Sequence, residues 1–199
     1  MATDIDAVVN NLTSFYDFSN KRVIHIGAGG GQLIGYAGAA KSVFAVDTDK
    51  IAVEHLEDAI VEQRLVEKFT VVHGDVLAVS EKADVVFFEF CLHEIERPDR
   101  ALVHARSLAP EILVLDHSPD SRWAWHTDET EKATRSWSAV TSAGIVRKTE
   151  FSAVQRFDDH AQLLDKVKIL GTTAIDRAAV YTDKKNIEIE MKYTAALVE

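Results

Sequence analysis

Glycines 27, 29 and 31 follow the apolar run Val23-Ile24-His25-Ile26, and a second apolar run, Val43-Phe44-Ala45-Val46, ends in Asp47. Glycine tolerates positive φ and lets the backbone approach a ligand with no Cβ in the way. An acid one βαβ unit further along can accept hydrogen bonds from ribose hydroxyls. The chemistry these residues suit is the binding of an adenosine-containing cofactor.

The spacing narrows which one. A dinucleotide fingerprint needs Gly-x-Gly-x-x-Gly, with a pyrophosphate on a helix N-terminus. Counted from Gly27 and Gly29, its third glycine falls on Gln32, so the pattern present is Gly-x-Gly-x-Gly. Two more segments are informative. His73-Gly74-Asp75-Val76 follows a third apolar run, and residues 83–102 read Ala-Asp-Val-Val-Phe-Phe-Glu-Phe-Cys-Leu-His-Glu-Ile-Glu-Arg-Pro-Asp-Arg-Ala-Leu. In this order the motifs resemble the class I, Rossmann-like S-adenosylmethionine-dependent methyltransferases of small-molecule type. The resemblance covers about residues 20–118; beyond that only the expected secondary structure agrees.

The resemblance implies S-adenosyl-L-methionine as cofactor and methyl transfer as activity. It implies that Asp75 accepts from the adenine amino group and that Val76 packs on the ring. The implied cofactor site comprises His25, Gly27, Ala28, Gly29, Gly31, Asp47, Thr48, Gly74, Asp75, Val76, Glu89 and Phe90. One position departs from the pattern. The family commonly has Asp or Glu two residues before the first glycine, at the amino end of the cofactor's methionine part, and this chain has His25.

Methyl transfer asks little chemistry of a protein. The sulfonium already carries the charge and the leaving group, so holding a nucleophile in line and excluding water supply most of the acceleration. A general base is needed only where the attacking atom still holds a proton. Glu89 and His93 are the catalytic candidates. Trp123 and Trp125, with His117 and His126, occupy the stretch that encloses the acceptor in this fold, and an aromatic pair there could stack on a planar or cationic substrate. Residues 4–18 could form a lid that brings Tyr16 to the methyl donor. His93, Glu94, Asp116, His117 and His126 are metal-ligand types, but their spacing matches no tight motif such as His-Glu-x-x-His, and no metal is expected. Cys91 reads as a small buried residue.

The elements that must position these groups are legible as periodicity. Ile5, Val8, Val9, Leu12, Phe15 and Tyr16 form a helical stripe, capped by Asp4 or Thr3. Strands are expected at 22–26, 43–47, 69–73, 83–89 and 112–115, with helices over 31–40 and 49–64 and for about ten residues after Pro98. Asp116 ends the fifth strand. Alternation of this kind implies a parallel sheet with helices on both faces and ligands beyond the carboxyl ends of the strands. The remainder reads as a helix at 128–143 ended by Gly144, a strand at 145–157, a helix at 158–170, and strands at 175–182 and 187–197 joined by a hairpin turn. The expected fold is therefore α/β: Rossmann-like, doubly wound, with a mostly parallel seven-stranded sheet and an antiparallel C-terminal hairpin. A single domain spans 1–199, with a short N-terminal helical cap at 1–20, a cofactor-binding part at 21–118 and a substrate side at 119–199.

Composition bounds the alternatives. The chain has 199 residues, 47% hydrophobic and 27% charged, which suits one soluble domain. A net charge of −10, with Lys and Arg scattered, argues against a nucleic-acid partner. No apolar run is long enough to span a bilayer, and the N-terminus lacks a signal-peptide pattern. The single cysteine, Cys91, fits a reducing cytoplasm. The oligomeric state is left open, a homodimer included, as is the identity of the acceptor. Two other readings compete: an NAD-dependent oxidoreductase, disfavoured by Gln32, and a non-catalytic S-adenosylmethionine-binding domain.

Overall fold

The computed structural model describes residues 4–199; Thr3, the alternative cap, lies outside them. The strands are β1 (Arg22–Ile26), β2 (Ser42–Asp47), β3 (Phe69–His73), β4 (Val85–Glu89), β5 (Glu111–His117), β6 (Ile145–Asp159) and β7 (Lys185–Val198). The helices are α1 (Ile5–Phe15), α2 (Lys50–Glu62), α3 (Pro98–Leu108), α4 (Arg122–His126), α5 (Thr130–Ala143), α6 (His160–Val167) and α7 (Thr172–Ala178).

The strands make one sheet in the order β3-β2-β1-β4-β5-β7-β6. β1 to β5 pair in parallel, and β7 runs antiparallel to both β5 and β6. This is the mostly parallel, seven-stranded Rossmann-like sheet with antiparallel C-terminal pairing that the sequence implies. The register brings the carboxyl ends level. Ile26 lies opposite both Val46 and Phe88, Asp47 lies opposite His73, and Glu89 lies opposite Leu115. The residues that follow β1 to β5 therefore gather along one edge.

Two apolar layers fix the sheet. On one face Leu12, Leu56, Phe87, Leu163 and Tyr193 belong to one buried cluster; on the other, Ile24, Phe88, Leu102 and Val140 belong to a second. Adjacent Phe87 and Phe88 point to opposite faces, as period-2 alternation requires, and burying each contributes roughly 1.5–3 kcal/mol. Helix starts are set by side-chain caps. Asp4 accepts from Ala7 N–H, Asp49 from Ile51 N–H and Asp159 from Gln162 N–H. An N-cap of this kind is typically worth about 1 kcal/mol.

Three expected elements differ. Residues 31–40 do not form an α-helix; only a 3-10 turn at Ile34–Gly38 is present, since Gly35 and Gly38 weaken a longer one. Residues 175–182 are not a strand. They belong to α7 and a following 3-10 turn at Ala179–Tyr181, with Ala174 and Ala178 buried at helical i, i+4 spacing. Besides β5, β7 thus has β6 as its antiparallel partner, reached across α6 and α7 rather than through a tight hairpin turn at 182–186. Trp123 and Trp125 lie on a short helix, α4, capped by the Ser121 hydroxyl.

Candidate active site

Two adjoining cavities open at the carboxyl ends of the parallel strands. The larger, about 750 Å³, is walled by Gly27 and Gly29 after β1, Asp47 and Thr48 after β2, Gly74, Asp75 and Val76 after β3, and Glu89 and Phe90 after β4. The smaller, about 290 Å³, shares Gly27, Gly29, Glu89 and Phe90 and adds Ile5, Val8, His117, Trp123, Gln155 and Met191 among its walls. A groove of about 670 Å³ between α3 and α5 shares Glu96 and Arg97 with the larger cavity and gathers none of the candidate residues.

The glycine turn is shaped by close approach. Gly27 has φ +73°, and a Cβ there would lie 2.4 Å from Cys91 Cβ. Gly29, at φ +52°, has open space on that side and donates its N–H to Asp47 Oδ2 at 2.8 Å. The other Asp47 oxygen accepts from Asp49 N–H at 2.9 Å. A carboxylate has about four lone-pair sites, so this fixed acid retains capacity for ribose hydroxyls. Asp75 is held the same way, accepting from Leu77 N–H at 2.7 Å, with Val76 buried beside it. The turn therefore fits an adenosine cofactor: side-chain-free backbone of Gly27 and Gly29 in the wall, and oriented acids at its rim.

Gly31 and Ala28 are not in either wall. A Cβ on Gly31 would meet Ala59 Cβ at 2.8 Å, so this glycine admits α2 to the turn rather than a ligand. Ala28 is buried in the core. His25 also stands behind the cavity. It is fully buried, stacked on Phe87 and paired through Nδ1 with the Tyr36 hydroxyl at 3.0 Å. Its Nε2 lies 2.8 Å from Glu89 Oε2 and pairs with that carboxylate. The acid expected on β1 is thus replaced by an imidazole that backs a carboxylate on neighbouring β4. Burial pushes the Glu89 carboxyl up from its ordinary range, and the nearby His25 opposes this. A buried carboxylate paired with a single imidazole and shared by two cavities is a group positioned to meet a ligand.

Several candidates lie elsewhere. Tyr16 is at the opposite end of the sheet, its hydroxyl donating to Glu111 Oε2 at 2.6 Å where β5 begins. The chain must enter β1 from that end, so the start of α1, Ile5 and Val8, reaches the cavity and its C-terminal end cannot. His93 is buried but lines neither cavity; its Nδ1 lies 2.5 Å from Asp116 Oδ1. Trp123 is buried, stacks on Phe157 and faces the smaller cavity. Trp125 points out under the Arg177 guanidinium, and His126 turns to the Tyr181 hydroxyl at 3.2 Å. Cys91 is packed against the turn, its thiol donating to Ile26 O, and burial pushes its pKa up.

Sequence reasoning missed other wall residues. Arg97 and Arg100 rim the larger cavity, and Gln155 and Met191 come to the smaller one from β6 and β7. Phe90 has φ +42°, an uncommon backbone for a bulky residue and one often retained at functional sites. No sequence signal marks that angle.

Residues 24–111 match a family model described as a methyltransferase domain. No curated protein sequence matches the chain. Among solved structures, a Bacillus halodurans protein provisionally assigned as a methyltransferase superposes with a TM-score of 0.71, at 14% identity, over 96% of this chain and 97% of that one. A SAM-dependent methyltransferase from Aquifex aeolicus gives 0.60 at 16% identity, over 99% and 90%. Magnesium protoporphyrin IX methyltransferase from Synechocystis PCC 6803, solved with bound SAH, gives 0.59 at 16% identity, over 96% and 80%. These likenesses are of fold. Residues 24–111 thus carry the match to a methyltransferase domain, within a chain that has the fold of these structures.

Proposed function

We propose that the protein transfers a methyl group from S-adenosylmethionine to a small-molecule acceptor, the cofactor taking the larger cavity and the acceptor the smaller. The observation that carries this is the shared wall. Gly27, Gly29, Glu89 and Phe90 bound both spaces, so a methyl group presented there meets an acceptor without crossing protein. When bound, S-adenosylmethionine supplies an electrophilic methyl on a sulfonium.

The chain's own residues bind, orient and exclude water. Asp47 takes the ribose hydroxyls, Asp75 the adenine amino group, and Val76 with Leu77 covers the ring. Trp123, Phe90 and Met191 give the acceptor an apolar enclosure, and Gln155 and His117 give it polar contacts. His117 is neutral at ordinary pH, since burial pushes its pKa down to about 4. Glu89 accepts the acceptor's proton when the attacking atom carries one, and His25 positions that carboxylate. Positioning supplies most of the rate, and a base adds about 10²–10⁴-fold where it is needed.

A pocket of about 290 Å³ suits a small molecule better than a polymer segment, and the net charge of −10 repels nucleic acid. No described helix is long and apolar enough to cross a membrane, and one unpaired cysteine suits a reducing cytoplasm. Methyl-labelled S-adenosylmethionine with a panel of small hydroxy, amino and thiol compounds tests the reading. Label transfer to a panel member, with release of S-adenosylhomocysteine, is the expected result. Failure of both S-adenosylmethionine and S-adenosylhomocysteine to bind would remove it.

A further inference from the structure

The loop after β4 meets the end of β5 and the start of α5 at a cluster of imidazoles and carboxylates, of which the proposed methyl transfer uses His117 alone, as an acceptor contact. We infer that this junction binds one divalent transition-metal ion, ligated by His93, Glu94 and Glu129 with His117 alongside.

The geometry is close to a coordination shell. His93 Nε2 lies 3.4 Å from Glu94 Oε1 and 3.8 Å from Glu129 Oε2. One ligand atom from each of the three residues falls within 4.8 Å of the others. His117 Nε2 is 4.0 Å from the same Glu129 oxygen. Metal bonds of about 2.0–2.1 Å at tetrahedral angles put donor atoms about 3.4 Å apart, so small side-chain movements close the shell.

The orientation is built rather than incidental. Asp116 is fully buried, and its Oδ1 lies 2.5 Å from His93 Nδ1 while its Oδ2 accepts the His93 backbone N–H at 2.9 Å. That leaves Nε2 directed at the two glutamates. A carboxylate behind a histidine in this way fixes its tautomer and raises its basicity as a ligand. Glu129 is held by the Thr127 hydroxyl at 2.7 Å. His117 is 8% exposed, and its Nδ1 has no hydrogen-bond partner among the described residues.

Mixed imidazole and carboxylate donors favour zinc, cobalt, iron or manganese over calcium or magnesium. An ion there would tie the β4 loop to β5 and α5. Glu94 belongs to the wall of the larger cavity and His117 to that of the smaller, so the ion would brace both. The competing account is that a protonated His93 and Lys132, whose ammonium lies 2.7 Å from Glu94, already neutralise the carboxylates.

Untagged, chelator-treated protein titrated with Co²⁺ separates the two. The expected result is one equivalent bound, with visible absorption bands of a four- or five-coordinate site that Zn²⁺ abolishes, and a higher midpoint of thermal unfolding. Glu129→Gln and the half-exposed Glu94→Gln should each weaken Co²⁺ binding by about 100-fold or more. His55→Ala, on the exposed face of α2, should leave it unchanged. Circular dichroism and S-adenosylhomocysteine affinity report on the fold and cofactor site separately. Absence of stoichiometric Co²⁺ binding, or binding that survives both glutamate substitutions, overturns the inference.

Discussion

The two cavities share a wall but are built from different materials. The larger is framed by backbone and short acids at the ends of four parallel strands, each element fixed by a continuous ladder of hydrogen bonds. The smaller is closed by side chains from α1, α4, β6 and β7, brought together only by tertiary packing. A backbone-built site keeps one geometry and suits a ligand that never changes. A side-chain-built site can be altered one residue at a time, which suits a variable acceptor.

The sharpest way to break this comparison is at the turn itself. Gly27→Ala puts a Cβ 2.4 Å from Cys91 at φ +73°, and about 2–4 kcal/mol of stability should be lost along with cofactor binding. Urea denaturation and calorimetry would read both; a variant as stable as the parent would show the turn to be softer than drawn. Next is Glu89→Gln, at the shared wall. It should lower kcat by about 100-fold or more with an acceptor that carries a proton, with a smaller change in cofactor affinity. An unchanged rate would confine Glu89 to binding.

Asp47→Ala should weaken S-adenosylhomocysteine by about 10- to 100-fold, the range for hydrogen bonds to a charged group. The Trp pair probes the other cavity. Trp123→Ala should raise the acceptor KM by about tenfold and leave cofactor affinity near that of the parent, whereas Trp125→Ala should change neither. Equal effects of the two would place the acceptor elsewhere.

The smallest effect concerns pH. Burial, with Arg122 and Arg177 nearby, lowers the His126 pKa to about 4. The unfolded chain, with His near 6.5, therefore takes up the proton first. Stability from this group is complete above about pH 6.5 and is lost as pH falls towards 4. Between pH 7 and 5.5 the loss is about 1 kcal/mol, and His126→Asn should remove that share of the slope. An unaltered slope would show His126 to be solvated.

The backbone-built half was the legible one. Gly27, Gly29, Asp47 and Asp75 follow from local patterns, because a parallel sheet forces strand ends to one edge. Glu89 was legible for the same reason. His25 was visible as a departure, but not as the group behind Glu89, since that contact crosses between strands. Tyr16, Trp125, His126 and His93 line neither cavity: for Tyr16 periodicity gives a stripe, not the end of the helix that meets a site, and for the other three a place in the chain does not say where the side chain points. Residues 175–182 alternate enough to resemble a strand, and the burial of Ala174 and Ala178 decides for a helix. Glu129 stands far from His93 in the chain, so no spacing motif could join them.

The central claim is that the glycine turn and Asp47 hold S-adenosylmethionine. Calorimetric titration of the parent and of Asp47→Ala with S-adenosylhomocysteine, and in parallel with NAD, tests it most directly. The account predicts one S-adenosylhomocysteine per chain, weakened in the variant, and no binding of NAD. Heat from NAD with none from S-adenosylhomocysteine would contradict it.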